Sequence, residues 1–332
     1  MPGKTLMLAF VLRRILQSIM VLLAVALIAF AVSRYAGDPV ESLLGQEATE
    51  AERVELIKTL GLDDPVYVQY GRFVSGAVWG DFGISYRQGR PVKDIISERL
   101  PATLELAFAA GFVAVAGGIG LGIHAALRRD SLATTMIMAA TLISISLPTF
   151  LIGILLIWFF SVELQWLPAF GRGDVVEIGW WSTGFLTISG LKSFILPTIA
   201  LSLCQLTIIM RVVRIEMSKA LASDYIRAAH ARGLPDRTVT FGHAFPNTLV
   251  PVINVCGLQV GAIIAFSIIT ESVFQWPGIG LLLIESIQFV DVPVLAANLL
   301  VIAFVFVTLN LIVDICCYFV EPRLRDAVPA TS

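Results

Sequence analysis

Apolar residues gather along this chain in long runs, with the charged residues in the gaps between them. Six runs stand out, at about 10–32, 102–127, 132–161, 194–213, 249–270 and 294–320. A helix needs roughly 20 apolar residues to cross a hydrocarbon core about 30 Å thick. Each run is therefore expected to be a membrane-spanning helix, and the fold all-α and polytopic.

The gaps differ in character. In the first, residues 47–60 (EATEAERVELIKTL) place Val54, Leu56, Ile57 and Leu60 among charges at helical spacing, with Gly61 as a stop and Pro65 beyond it. Residues 85–90 read as a turn, and Pro91 can open a second helix to Arg99. The chain thus divides into an end and first span (1–33), an ordered external segment (34–101), a transmembrane domain of five further spans with the 214–248 loop (102–320) and a tail (321–332). In the fifth gap Trp276-Pro277-Gly278 breaks the chain. LLLIESI (281–287) after it is too short to cross, and reads as a helix lying at the outer interface or re-entering between spans.

The fourth gap, 214–248, is the longest on its side of the membrane. Glu216 to Arg232 is rich in helix formers, with Ser223 and Asp224 as caps. Gly233 suits the left-handed residue that ends a helix, and Leu234-Pro235-Asp236 restarts one. A mere connection needs only a few residues. This one is expected to project as an ordered helix–turn–helix, with Ala228, Ala229 and Ala231 leaving a flank of small side chains. It reads as a docking element for a partner; a helix resting on lipid headgroups is the plainer alternative.

Composition agrees with a membrane protein: 57% hydrophobic, 14% charged, mean hydropathy +0.85. A soluble domain carries about a quarter charged residues. The net charge of −2 says nothing about nucleic acid, but no basic stripe or RNA-binding motif is present, and no nucleic-acid partner is expected. Cys204, Cys256, Cys316 and Cys317 lie in apolar runs and read as buried small hydrophobes. The run at 15–32 is too long for a signal-peptide core and reads as a retained span.

Lys and Arg set the orientation. Lys4, Arg13 and Arg14, then Arg128 and Arg129, then Arg214, Lys219, Arg227, Arg232 and Arg237, then Arg323 and Arg325 all fall on one side of a six-span topology. That side is expected to be the cytoplasm, with both termini in it.

No phosphate-binding loop, nucleophile elbow or zinc-binding HExxH is present, and there are only three histidines, His124, His230 and His243. Ionisable residues keep to span ends (Glu105, His124, Glu163, Arg211), except Asp314, which reads as an interfacial carboxylate paired with a cytoplasmic arginine. A proton relay generally needs several such groups. Gln205, Asn254, Gln259, Asn298 and Asn310 stand within spans, either as interhelical glue or as the lining of a polar path.

The fourth gap resembles the cytoplasmic coupling loop of ABC importer permeases: an E-A-A triplet, three residues, Gly, nine residues, then I-x-L-P. Arg227-Ala228-Ala229 holds the triplet position, Gly233 the glycine and His243-Ala244-Phe245-Pro246 the final element. Arg for Glu and His for Ile are similar to the dipeptide/oligopeptide branch, as are Asp224, Tyr225, Ile226, Ala231, Arg232, Leu234, Asn247, Leu249 and Pro251. Further likenesses are Gly37-Asp38-Pro39, Leu60-Gly61-Leu62-Asp63, Gln69-Tyr70, Gly80-Asp81-Phe82-Gly83, Arg99-Leu100-Pro101-Ala102-Thr103, Glu271-Ser272-Val273-Phe274 with Trp276-Pro277-Gly278-Ile279-Gly280, and Asn310-Leu311 with Asp314. The chain departs from the branch at Leu281, Val290, Val292 and Glu321.

The resemblance implies a type I importer permease in a bacterial inner membrane, working with a second related permease, two ATPase subunits and an external solute-binding protein. ATP and Mg would sit on the ATPases, with no cofactor or metal on this chain and no catalysis of its own. Asp224, Tyr225, Arg227, Ala228, Ala229, Arg232, Gly233, His243 and Asn247 would form the coupling loop. The cargo would be di- or oligopeptides, with nickel chelates and glutathione as alternatives within the family. A stand-alone carrier would show inverted repeats, and none is seen; a membrane scaffold is the third reading.

Overall fold

The computed structural model describes residues 2–35, 49–60 and 63–320. The stretches around Gly37-Asp38-Pro39 and Gly61-Leu62, and the 321–332 tail with Glu321, Arg323 and Arg325, lie outside the described residues.

The elements in order are α1 (Pro2–Tyr35), α2 (Glu50–Leu60), α3 (Val66–Val78), α4 (Val92–Leu127), α5 (Leu132–Ser146) and α6 (Thr149–Leu156), which continues as a π-helical turn (Ile157–Glu163). A hairpin of β1 (Val176–Ile178) and β2 (Trp181–Thr183) follows, then α7 (Ile188–Leu221), α8 (Asp224–Ala231) and the single turn α9 (Asp236–Thr238). A second π turn (Val239–Ala244) leads into α10 (Phe245–Val273), then α11 (Ile279–Gln288) and α12 (Val292–Val320). Among the described residues five helices are long and apolar enough to cross a membrane, and the bent pair α5–α6 makes six if counted as one span.

The run at 132–161 is not one straight span: α5 and α6 with its π turn meet at 112°. Proline lacks an amide hydrogen and disfavours helix in the residue before it. Leu147 before Pro148 is accordingly extended (φ −98°, ψ 136°). Apolar residues on both sides hid the break. Pro101 acts differently. The expected short helix to Arg99 and the second span are one 36-residue helix, with Pro101 inside it. Arg214 and Lys219, expected in the loop, extend α7 to Leu221, and the helix expected over 216–232 breaks at Ala222-Ser223. α3 and the β hairpin were not anticipated.

α4 and α7 make the most extensive helix contact, against which α10 packs. Close approach is possible because α4 lacks side chains where α7 crosses. A Cβ added at Gly122 would stand 2.6 Å from Val213 Cβ and 2.8 Å from the Met210 carbonyl oxygen. Small residues at such crossings let backbones meet without a cavity. α1 packs on α12 at the bundle's edge, where Arg14 meets Asp314 at 3.2 Å. Asp314 is thus the paired carboxylate that was expected. Cys204 and Cys256 are partly buried.

Candidate functional site

The loop after α7 is built by local rules. Ser223 starts α8 in extended geometry, and its hydroxyl donates to the Ala220 carbonyl at 2.5 Å. α8 ends through a pair of crossed bonds, Gly233 N–H to the His230 carbonyl at 2.9 Å and Leu234 N–H to the Ala229 carbonyl at 3.4 Å. That closure requires a left-handed residue at the turn, and Gly233 has φ +76°. Leu234 then packs into the same apolar cluster as Ala229.

Only one strip of α8 faces inward. Ile226 and Ala229 are buried with Ile209, Val213 and Met217 of α7, Val239 and Ala244 of the π turn, and Val252 of α10. Asp224, Tyr225, Arg227, Ala228, Ala231, Arg232 and Gly233 are exposed. Asp224 pairs with Arg227 one turn on. The small-residue flank needs correction at one position: Ala229 is part of the loop's own core, and only Ala228 and Ala231 are free. His243 and Asn247 are exposed at the start of α10, where the Asn247 amide donates to the His243 carbonyl at 2.9 Å. Beside them Phe241 is half-exposed.

At the opposite end of the bundle, charge is buried instead. Glu271, at the end of α10, is 0% exposed. It accepts from the Thr103 hydroxyl at 2.7 Å and from the Gly280 and Leu281 amides at 2.8 and 3.0 Å. The N-terminus of α11 is thereby capped by a carboxylate, where the helix dipole favours negative charge. Trp276 donates to the Ala102 carbonyl at 2.9 Å, and the Thr103 hydroxyl accepts from Ile279 N–H at 2.8 Å. These bonds tie α4, α10 and α11 together. α11 is the short apolar helix expected over 281–287, with Ile279 to Leu283 and Ser286 buried.

A second buried charge lies beside it. Arg172 donates to Glu105 at 2.6 Å, and Glu105 also accepts from Trp181 Nε1 at 3.1 Å and Gly184 N–H at 3.2 Å. Arg172 in turn holds the Ser182 hydroxyl and carbonyl at 2.9 and 2.6 Å. The ion pair pins the β hairpin onto α4. Next to it an apolar groove of about 850 Å³ runs along α4, lined by Phe108, Phe112, Trp181 and Phe185, with Val260 of α10 and Leu309 of α12. Sequence reasoning left both buried carboxylates without a role. The signal available for Glu271 was a carboxylate ending an apolar run just before a glycine-rich turn.

The five polar span residues are spread over the bundle. Gln205 is buried in α7, while Asn254 is exposed and Gln259 partly buried on α10. Asn298 is 0% exposed and its amide donates to the Ile279 carbonyl at 2.8 Å, which engages it in the α11 network. Asn310 donates to Phe306 of its own helix at 3.0 Å.

A bundle of spanning helices with an ordered helical knob at one end and an interlocked far end is the architecture of a multi-pass membrane protein. The chain belongs to the family described as the binding-protein-dependent transport system inner membrane component. The model of that description matches residues 118–326, and the model of its N-terminal region matches residues 7–107. A dipeptide transport system permease protein of Alkalihalophilus pseudofirmus is 36% identical over 96% of this chain and 100% of its own length. A di/tripeptide permease protein of Pseudomonas aeruginosa is 38% identical over 96% of this chain and 99% of its own, and a glutathione permease protein of Escherichia coli K12 is 36% identical with the same coverage. The fold is shared with the MetNI methionine ABC transporter in an inward-facing conformation, with a TM-score of 0.52 and 15% identity, covering 66% of this chain and 93% of that one. This protein is an ABC importer permease component of the inner membrane.

Proposed function

We propose that this chain carries di- or oligopeptides across the inner membrane, and that α8 passes the ATPase cycle to the spans. The observation that carries the reading is the division of α8. Its inward strip (Ile226, Ala229) is fused to the ends of α7 and α10, while Tyr225, Arg227, Ala228 and Arg232 stand free to meet another protein. A push on α8 would reach α7 and α10 through that shared cluster, and both helices pack on α4. Coupling further requires that the partner contact α8 differently in its two states.

In this reading two ATPase subunits bind ATP and Mg beneath the bundle, and this chain binds neither. A second, related permease covers the free apolar face of α4, and a solute-binding protein delivers cargo at the far end, meeting the 83–91 turn and the Phe289–Asp291 loop. Those two segments are joined: Asp291 accepts from Ser85 Oγ and from Tyr86 N–H, and Arg87 lies 3.5 Å over the Phe289 ring. The end carrying α8 and both termini is cytoplasmic, as the Lys and Arg distribution supports. Peptide cargo is supported by the dipeptide and di/tripeptide relatives; the glutathione relative keeps a modified tripeptide within the class.

The test is purification of the chain from its native membrane in mild detergent, with identification of its companions and an ATPase assay. Companion ATPases lost in Ala228→Trp and Gly233→Pro variants that still insert would support the reading. A chain that purifies alone and still moves solute in liposomes would replace it with a stand-alone carrier.

A further inference from the structure

α3 follows from a stretch, VYVQYGRFVSGAV, that carries one charge and no buried residue. Its side chains fall into three sectors. Tyr70, Phe73, Val74 and Ala77 pack on a cluster formed by Ala26 and Ala29 of α1 with Ala296 and Leu300 of α12. Gln69 and Arg72 lie on one flank of that contact. The remaining flank holds Tyr67 and Val78, each 76% exposed, and leads to Trp79 at 85%. By the 100° step of a helix the polar pair and the apolar pair lie on opposite sides of the packed sector.

The polar flank is anchored at the end of a span. Gln69 Oε1 accepts from Arg34 at 3.1 Å, and Arg72 pairs with Asp64 at 2.5 Å. The packed sector reaches deeper. The Tyr70 hydroxyl donates to the Leu23 carbonyl at 2.9 Å. Leu23 lies about 16 Å along α1 from Arg34 at 1.5 Å per residue. The aromatic pair Phe30–Tyr70, with centroids at 5.6 Å, fixes the level between. α3 therefore lies beside the apolar part of α1. There α1 exposes Leu27 and Ile28, and nearer its N-terminus Leu16 and Met20, as a span does toward lipid. The free flank of α3 adds Tyr67, Val78 and Trp79 to the exposed apolar residues of this part of the chain.

We infer that α3 is an interfacial helix seated in the leaflet at the end of the bundle opposite α8, with Tyr67, Val78 and Trp79 in the acyl–headgroup boundary and Arg72 at headgroup level. Tyrosine and tryptophan favour that boundary, where an apolar body and a polar tip are both satisfied. An amphipathic helix of this kind lies in the interface plane with its apolar side about 5–10 Å deep. Its partner is the bilayer itself. The helix braces α1 against α12 from the lipid side, and it removes this part of the 34–101 segment from the surface available to a binding protein.

The test uses the full chain with its native cysteines replaced by alanine, in vesicles of phosphatidylethanolamine and phosphatidylglycerol. Val78→Cys, Tyr67→Cys and Arg72→Cys are each labelled with an environment-sensitive fluorophore. At 78 and 67 the emission is expected to be blue-shifted and quenched about twofold or more by lipids carrying a nitroxide near the headgroup, and little by iodide. At 72 iodide is expected to be the better quencher. Iodide quenching at 78 and 67 without lipid quenching would place the flank in water and overturn the inference. Protection from both quenchers would place it under another protein chain and overturn it equally.

Discussion

The two ends of this bundle handle charge in opposite ways. At the α8 end the charged groups are exposed and the helix is held by two apolar side chains, Ile226 and Ala229. At the far end Glu105 and Glu271 are buried, and each accepts at least three hydrogen bonds. A buried carboxylate is tolerated only when fully paired, so its partners are fixed in place. An exposed pair contributes little and leaves its surface free to meet something else. One end is built as a lock, the other as a contact surface. Substitutions should therefore damage folding at the far end and function at the α8 end.

The largest effect is expected from Arg172→Ala. It strands Glu105 without its cation, and removing one partner of a buried pair costs about 3–5 kcal/mol. The variant should lose yield and thermal stability in detergent, measured by fluorescence-detected size exclusion after heating. Arg172→Ala matching the unchanged protein would show that the Trp181 and Gly184 donors suffice.

Of comparable size is Glu271→Ala, which frees the Gly280 and Leu281 amides and the Thr103 hydroxyl together. Each buried donor left unsatisfied costs about 1–3 kcal/mol. Glu271→Gln keeps an acceptor oxygen and should retain more of the thermal stability. If both variants melt like the unchanged protein, the carboxylate is not what holds α11.

This contrast also separates what the sequence displayed from what it concealed. The spans were legible because twenty-residue apolar runs have few other uses. Gly233 was legible because a glycine before Leu-Pro ends a helix by backbone chemistry alone. The lock was not legible. Glu105 and Arg172 are 67 positions apart, and Thr103 and Glu271 are 168 apart. Neither position carries a local sign of its partner. The bend at Pro148 was masked because both arms are equally apolar. α3 lacks the charge alternation that marked α2, because one flank faces no water. Ala229 was misplaced because composition showed three alanines and only packing tells which one is inside.

Smaller effects belong to the α8 end, where they sharpen the comparison. Ala229→Leu forces a larger side chain into the buried cluster that also holds Val239 and Met217, and overpacking costs about 1–3 kcal/mol. Gly233→Ala places a Cβ at φ +76°, a strain of about 1–2 kcal/mol. Ala228→Leu points outward and should leave the melting temperature unchanged. In reconstituted complexes it should nevertheless lower substrate-stimulated ATPase activity about as far as Ala229→Leu does. If Ala228→Leu is silent in that assay, the exposed strip of α8 is not the contact surface.

A stability effect smaller than those at Ala229 and Gly233 is expected from Asp224→Asn with Arg227→Gln. Both side chains are largely exposed, and such a pair at (i, i+3) contributes about 0.2–0.5 kcal/mol. Melting should not resolve it. If α8 is only a surface helix, nothing else should change. If α8 seats in a groove of another subunit, the same two charges become partly desolvated on docking, and their loss acts on association instead. The expected outcome is an unchanged melting curve with ATPase coupling weakened and less sensitive to salt, because screening acts on the charges that have been removed. Coupling that keeps its full salt dependence in the double variant would assign the docking charge to Arg232 or Arg237, and leave Asp224 and Arg227 as a cap for α8 alone.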